Sequence, residues 1–299
     1  RPSNPSRGGG VVTRPSNPSR GGGVVTRPSR VVTRGSITYT NRYVRTGNSY
    51  SMQRSYNRGG VTYVRNYNGY SIGSHRYYGY VPYRHFDNWY YGWAYTGWSR
   101  PWTYAWGWAS APWCGYYGYY YRPYPTYYGP SYWLTDYILA EILAEQYAIN
   151  AANAQADANA AAQAQIDDQI KDQLRAQVEA DVRAQEQQQP VVLSNTLNDL
   201  RHIFVVSSDL SASPTDGSAA CTLTAGDLIR LTAAPAQDDQ VASVAVVTSK
   251  LGSCPAGSQV MVAISALQGF ENDFNEKLED GMGKMTTELA TQMPRPVQQ

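Results

Sequence analysis

At 299 residues the chain is long enough for about two domains, and its formal net charge is only +2. Residues 1–131 carry 16 Arg, no Lys and a single acid, Asp87, whereas the remainder carries 9 basic and 22 acidic residues, so the local charges are +15 and −13. All 26 Tyr and all 8 Trp lie at or before Tyr147, and Leu, Ile and Phe are almost absent before residue 131, which excludes an ordinary aliphatic core there.

Residues 1–35 are tandem repeats. RPSNPSRGGGVVT at 1–13 recurs unchanged at 14–26, and a shortened copy, RPSRVVTR, follows at 27–34. The chain opens at Arg1 instead of Met, which suggests a removed leader, the alternative being a fragment. Pro, Gly and Arg dominate the repeats, and such a segment buries too little apolar surface to offset its ordering entropy. The Val-Val-Thr trios are β-prone; they serve either as solvated linker or as strands added to an exposed sheet edge of a neighbour.

Residues 36–130 form a Tyr/Trp/Gly-rich segment. Ile37–Thr40 and Val61–Val64 read as short strands, and Asn68-Gly69 is a tight-turn signal. Further on, Trp89, Trp93, Trp98, Trp102, Trp106, Trp108 and Trp113 recur mostly four or five apart. Gly92, Gly97, Pro101, Gly107 and Pro112 interrupt them, which argues for turns and extended pieces over a continuous helix. A large ring buries about 150–250 Å², so rings left in water would drive condensation. Arg stacked on aromatic faces adds about 0.5–2 kcal/mol per contact. The expected assembly residues are that Trp series with Tyr116, Tyr117, Tyr119, Tyr120, Tyr121, Arg84, Arg100 and Arg122. Replacing Trp93, Trp98, Trp102 and Trp106 with Ala is expected to abolish assembly and spare the C-terminal part. A +15 arm and a −13 body further suggest head-to-tail contacts between subunits.

Ser131 is a reasonable N-cap, and no Gly or Pro then occurs until Pro190. Residues 131–189 read as one long Ala/Gln-rich helix, a rod of roughly 90 Å if unbroken. Asp136, Glu141 and Glu145 interrupt its most apolar stretch, and no stretch of the chain reaches the ~18 uncharged apolar residues of a membrane span. Ile166, Ile170, Leu174, Val178 and Val182 form a single stripe. That stripe calls for a partner helix, coiled-coil fashion, or for docking on the chain's own C-terminal part.

Residues 190–266 read as a small domain of five strands: His202–Ser207, Cys221–Thr224, Asp227–Thr232, Val241–Ser249 and Gln259–Ile264. Five short strands suggest a small barrel or sandwich. Residues 267–299 form an amphipathic helix and tail that Gly281 and Gly283 weaken. The fold class is therefore α+β in several parts.

Cys221 and Cys254 flank the β unit and are placed for a disulfide in an oxidising compartment, the alternative being two buried thiols. Cys114 either links chains or is an inert buried thiol. Thr222–Ile229, TLTAGDLI, resembles the strand–turn–strand of SH3-like modules, where the loop shapes a peptide- or glycan-binding rim; plain hairpin chemistry is the favoured account of it. No phosphate-binding loop, HExxH, CxxC or Gly-x-Ser-x-Gly motif occurs, and His85 with Asp87 makes a poor metal site. No catalytic, cofactor-binding or metal residues are expected. Arg-Gly-Gly-Gly at 7–10 and 20–23 and Arg-Gly-Gly at 58–60, with interleaved Tyr, resemble RNA-binding segments. An anionic polysaccharide or cell envelope supplies the same negative charge.

The stretch Pro123–Tyr137 (PYPTYYGPSYWLTDY), the Ala/Gln-rich helix, and Phe204–Ser208 with Cys221–Leu231 resemble a group of uncharacterised bacterial secreted proteins. The resemblance spans roughly residues 100–290. It implies an exported or cell-surface protein with a small β domain and carries no activity. The sequence thus suggests a structural protein that self-assembles into filaments, tubes or a matrix through its cationic aromatic arm.

Overall fold

The computed structural model describes residues 24–34, 37–58, 60–150 and 165–288. Tyr, Val and Arg alternate with Thr, Ser and Asn from residue 37 to 81, a period-two pattern that suits a pleated sheet. It forms a meander of β3 (Ile37–Thr46), β4 (Ser49–Arg58), β5 (Val61–Ile72) and β6 (His75–Val81), every neighbour antiparallel. The strands are far longer than the two short ones expected. Asn68-Gly69 is no turn; both residues sit inside β5, opposite Gly79 and Tyr78. Gly69 is needed for another reason: a Cβ there would lie 2.6 Å from Tyr50 Cβ. The hairpin turns instead carry Gly47, Gly60 and Gly73 at positive φ.

Two repeat trios complete this sheet. β1 (Val24–Thr26) and β2 (Arg30–Arg34) lie end to end along the outer edge of β3. The sequence left them as linker or edge strand, and 24–26 and 31–33 are edge strands, here on their own chain. Residues 1–23, with the first trio, lie outside the described residues.

Next come α1 (Asn88–Ala94), α2 (Pro112–Tyr116), α3 (Pro130–Asn150) and α4 (Asp168–Glu186). The expected rod is broken. Gln165–Asp167 are non-helical, and the Asp167 carboxylate accepts from Ile170 N at 2.8 Å, capping a new helix. Ile166 N donates to Tyr120 O at 2.9 Å, which pins the break to the aromatic segment. Residues 151–164 are not among those described. α3 and α4 pack on each other, so the stripe Leu174, Val178 and Val182 is buried within the chain. The chain itself thus covers the stripe, chiefly with α3 and α1, where the sequence pointed to a partner helix or to the C-terminal part.

The C-terminal part holds α5 (Leu193–Thr196), six strands and α6 (Ile264–Glu288). The strands are β7 (Ile203–Val205), β8 (Leu210–Pro214), β9 (Cys221–Leu223), β10 (Leu228–Leu231), β11 (Val241–Thr248) and β12 (Gln259–Ala263), in the sheet order β7-β10-β11-β12-β8-β9. This is a six-stranded antiparallel sheet and not a closed barrel. The extra strand, β8, is short and polar, which hid it from a search for apolar runs. β9 and β10 are not a hairpin: β9 pairs with β8, and β10 with β7 and β11. α6 keeps its length through Gly281 because α3 presses on that point; a Cβ there would meet Tyr137 Cδ1 at 2.6 Å. The whole is a mixed α+β protein with six helices and two antiparallel sheets among its described residues.

Candidate functional site

The N-terminal sheet meets α6 through a face set by strand register. Tyr39, Tyr56 and Tyr63 stand opposite one another in one row, Asn41, Arg54 and Arg65 in the next, and Tyr43, Met52, Tyr67 and Tyr80 in a third. On α6 the acids Asp273, Glu276 and Asp280 recur three and four apart, which places them on one helix face. The two faces interlock. Arg65 Nη2 donates to both Asp280 oxygens at 2.9 and 2.8 Å, and its guanidinium lies between the rings of Tyr63 and Tyr83. Arg54 pairs with Asp273 at 3.5 Å, and the Tyr67 hydroxyl donates to Glu276. Glu279 accepts from the Tyr80 hydroxyl at 2.7 Å and from the backbone N–H groups of Tyr83 and Arg84. Burial, with the Asp273 charge beside it, pushes the Glu276 carboxyl up to about 7.

Part of the charge polarity read from the sequence is therefore neutralised inside one chain, at Arg54, Arg58, Arg65 and Arg84. Two clefts, of about 420 and 380 Å³, open on either side of Tyr56 and Arg58 where the sheet, α3 and α6 converge. Their cations are matched to acids: Arg58 with Glu141 at 3.0 Å, Lys277 with Glu145 at 3.0 Å, and Lys284 with Glu141 at 3.6 Å. Such paired charges suit holding surfaces together more than moving protons. Among the described residues no cluster of three or more His, Cys, Asp or Glu is placed to hold a metal ion.

The expected assembly residues occupy an intrachain core. Trp108, Trp106, Trp133 and Tyr137 form a continuous stack with centroid spacings of 4.9, 5.0 and 5.2 Å, and Lys284 Nζ lies 4.8 Å from the Tyr137 ring. Each such ring pair contributes about 0.5–1.5 kcal/mol beyond area burial. Trp113, Tyr117, Tyr120 and Tyr121 are buried, while Trp93, Trp98, Trp102, Tyr116 and Tyr119 pack partly buried against the same core. Trp89 is half exposed, Arg100 and Arg122 are exposed, and Arg84 lies beside Asp280. Apart from half-exposed Trp89, these rings are covered by their own chain. Because Trp106 shares a core with Leu228 and Leu278, replacing the four tryptophans would disturb the C-terminal part as well. Cys114 is half-buried beside this core, and burial pushes its thiol up.

The TAGD loop is not an exposed rim. Asp227 Oδ2 accepts from Thr224 N at 2.7 Å, closing the turn, and a Cβ on Gly226 would lie 2.6 Å from Leu143 of α3. The Cys221 and Cys254 sulfurs are bonded at 2.09 Å, tying β9 to the segment after β11. His85 and Asp87 share no site: His85 faces Gln188, and Asp87 accepts from the Trp89 indole.

Sequence reasoning missed two buried ion pairs, Asp136 with Lys171 and Asp227 with Lys250. One signal was present: the chain has only four Lys, at 171, 250, 277 and 284, and each pairs with an acid.

No family model matches the chain, and no curated protein or solved structure is significantly similar to it. What defines the molecule is thus its own geometry: an Arg/Tyr sheet clamped on an acidic helix, with repeat strands along one sheet edge.

Proposed function

We propose that this is an exported structural protein that associates with copies of itself through its Val-Val-Thr repeats. One observation carries the reading: two copies of the same tripeptide occupy successive lengths of one edge, 24–26 opposite Val44–Thr46 and 31–33 opposite Thr38–Thr40. Strand addition is driven by main-chain hydrogen bonds and tolerates any segment of suitable pattern. Residues 11–16 repeat residues 24–29 letter for letter, VVTRPS. Residues 11–13 are thus a third copy of a trio whose two other copies already line the β3 edge, and it can take a slot on another copy by exchanging with that copy's own strand. Val24, Val25 and Val31 are all more than half exposed, so the edge offers apolar as well as main-chain contacts. The disulfide fits an oxidising compartment, consistent with export.

Sedimentation velocity over a range of concentrations tests this with the full chain and a chain lacking residues 1–13. The full chain should form larger species as concentration rises, and the shortened chain should not. Identical behaviour of the two would overturn the reading.

A second reading rests on a basic hollow of about 120 Å³ on the same sheet, lined by Arg27, Arg45, Arg76, Tyr43, Tyr50 and Tyr78. Arg76 stacks 3.2 Å from the Tyr50 ring centroid. Binding of RNA or an anionic glycan there would weaken steeply with salt and be lost in Arg45→Ala/Arg76→Ala.

A further inference from the structure

Asp136 and Lys171 meet between α3 and α4, with side chains 0% and 2% exposed and Lys171 Nζ 3.0 Å from Asp136 Oδ1. The amine is held from two other directions. It donates to the Arg122 carbonyl at 2.9 Å, and it lies 3.6 Å from the centroid of the Tyr124 ring. Asp136 Oδ2 accepts from the Tyr124 backbone N–H at 2.6 Å and the Tyr127 hydroxyl at 2.8 Å. The Tyr121 hydroxyl donates to Oδ1 at 3.0 Å. One carboxyl oxygen thus sits in a pair of fixed donors, as the oxyanion of an acyl-transfer intermediate does. The other faces a nucleophile and a phenol.

The geometry points to an intramolecular amide bond between Lys171 Nζ and Asp136 Cγ that joins α3 to α4. The reaction needs no co-reactant. A proton passes from the ammonium to the carboxylate along the 3.0 Å hydrogen bond, leaving an amine and a carboxylic acid. Nζ then adds to Cγ, and negative charge collects on Oδ2 between the Tyr124 N–H and the Tyr127 hydroxyl. Nζ releases a second proton to Oδ1, to which the Tyr121 hydroxyl is already hydrogen-bonded. The Cγ–Oδ1 bond breaks, water leaves, and the amide keeps one N–H for the Arg122 carbonyl.

Two physical factors favour this course. Burial pushes the Asp136 carboxyl up and the Lys171 ammonium down, in each case outweighing the attraction of the partner. Both shifts move the pair toward the reactive acid and amine. Holding nucleophile and carboxyl side by side lowers the entropic part of the barrier. An amide also removes the desolvation penalty of two buried charges.

The second pair is a built-in contrast. Lys250 Nζ is 2.6 Å from Asp227 Oδ1, but there each carboxyl oxygen accepts from a main-chain donor, Lys250 N at 3.0 Å and Thr224 N at 2.7 Å. Main-chain donors thus hold both oxygens, one of them from the lysine's own backbone, and no phenol hydroxyl bonds to either among the described contacts. It should remain an ion pair.

The test is the intact mass of the full chain after reduction and denaturation, followed by peptide mapping. We expect a mass one water below that of the sequence, and a branched peptide joining the segments around 136 and 171. Lys171→Met should restore the full mass, although the wild-type mass decides the matter even if that variant fails to fold. The full sequence mass, with Lys171 open to acylation once denatured, would overturn the proposal. So would a branched peptide that maps to Asp227 and Lys250.

Discussion

The two sheets share an antiparallel build and are stabilised by different chemistry. The C-terminal sheet encloses aliphatic and Phe side chains, among them Phe204, Val206, Leu223, Ile229, Val244 and Val262, all at or near zero exposure. The N-terminal sheet has only Met52, Tyr67 and Tyr80 as a cluster of its own. It also packs Tyr77, with Tyr70 and Ile72, against the C-terminal core, and guanidinium and phenol groups bonded to α6 hold the rest of its inner face. Apolar burial is non-directional and tolerates adjustment, whereas a desolvated ion pair that loses one member leaves a buried charge. One sheet holds an aliphatic core and lends Ile203, Val205 and Leu228 to the aromatic core as well; the other is largely one side of an interface whose second side is a helix.

Breaking each sheet at its own weak point separates them. Phe204→Ala should cost about 3–5 kcal/mol through the cavity it leaves. Arg65→Ala should cost about 3 kcal/mol, the low end for a broken buried pair, because Asp280 keeps 26% of its side chain in solvent. Native-state hydrogen exchange distinguishes the two. Arg65→Ala should release β3–β6 and leave β10–β12 protected; loss of both sheets together would refute the division. Next in size is the disulfide, which spans 33 residues within the C-terminal unit. Cys221→Ser with Cys254→Ser should lower stability by about 2–4 kcal/mol, read as a lower denaturant midpoint with β3–β6 exchange opening no earlier than in the parent.

The smallest effect expected is on pH dependence. Glu276 is pushed up to about 7, and Asp181 to about 8 by burial and the neighbouring Glu271 charge. A carboxyl whose folded pKa exceeds its unfolded value binds its proton more tightly when folded, so stability rises as pH falls from about 8 toward 4.5. Burial alone lowers His202, but its 2.7 Å bond to Glu271 more than reverses this. That contribution is likewise lost as pH rises. Glu145, held down by Lys277, opposes the trend only below its ordinary range. The folded state should therefore be more stable at mildly acidic than at mildly alkaline pH, by on the order of 1–3 kcal/mol, read as a higher melting temperature. Glu276→Gln and Asp181→Asn should flatten the slope, and a melting temperature that falls steadily on acidification would contradict it.

Local pattern was legible where local physics decides. The alternation in Val241–Thr248, the stripe Leu174–Val182 and the helical run at Leu267–Met285 all appear in the fold, as does the Cys221–Cys254 pair. What was not legible depends on contacts across long separations. Asn68-Gly69 has turn chemistry, yet Tyr50 on the adjacent strand fixes it as a flat stretch of β5. The helix break at Gln165–Asp167 carries no Gly or Pro and is set by Tyr120 O and the Asp167 cap. Most importantly, opposite charges on two halves of a chain do not say whether they meet within a molecule or between molecules. Register places Arg54 and Arg65 in one row, and helix period places Asp273, Glu276 and Asp280 on one face; only the fold brings the two together.

The bond between Arg65 and Asp280 spans 215 residues of chain. At the ~5–20 residues per second of synthesis, β5 emerges roughly 10–40 s before the helix that neutralises it. During that interval Arg54 and Arg65 lack the α6 acids they pair with, whereas Glu141 of α3 arrives sooner for Arg58. Nascent chains on one polysome would hold cationic, edge-exposed sheets close together, so the protein's solubility during biosynthesis depends on how soon its last described helix arrives.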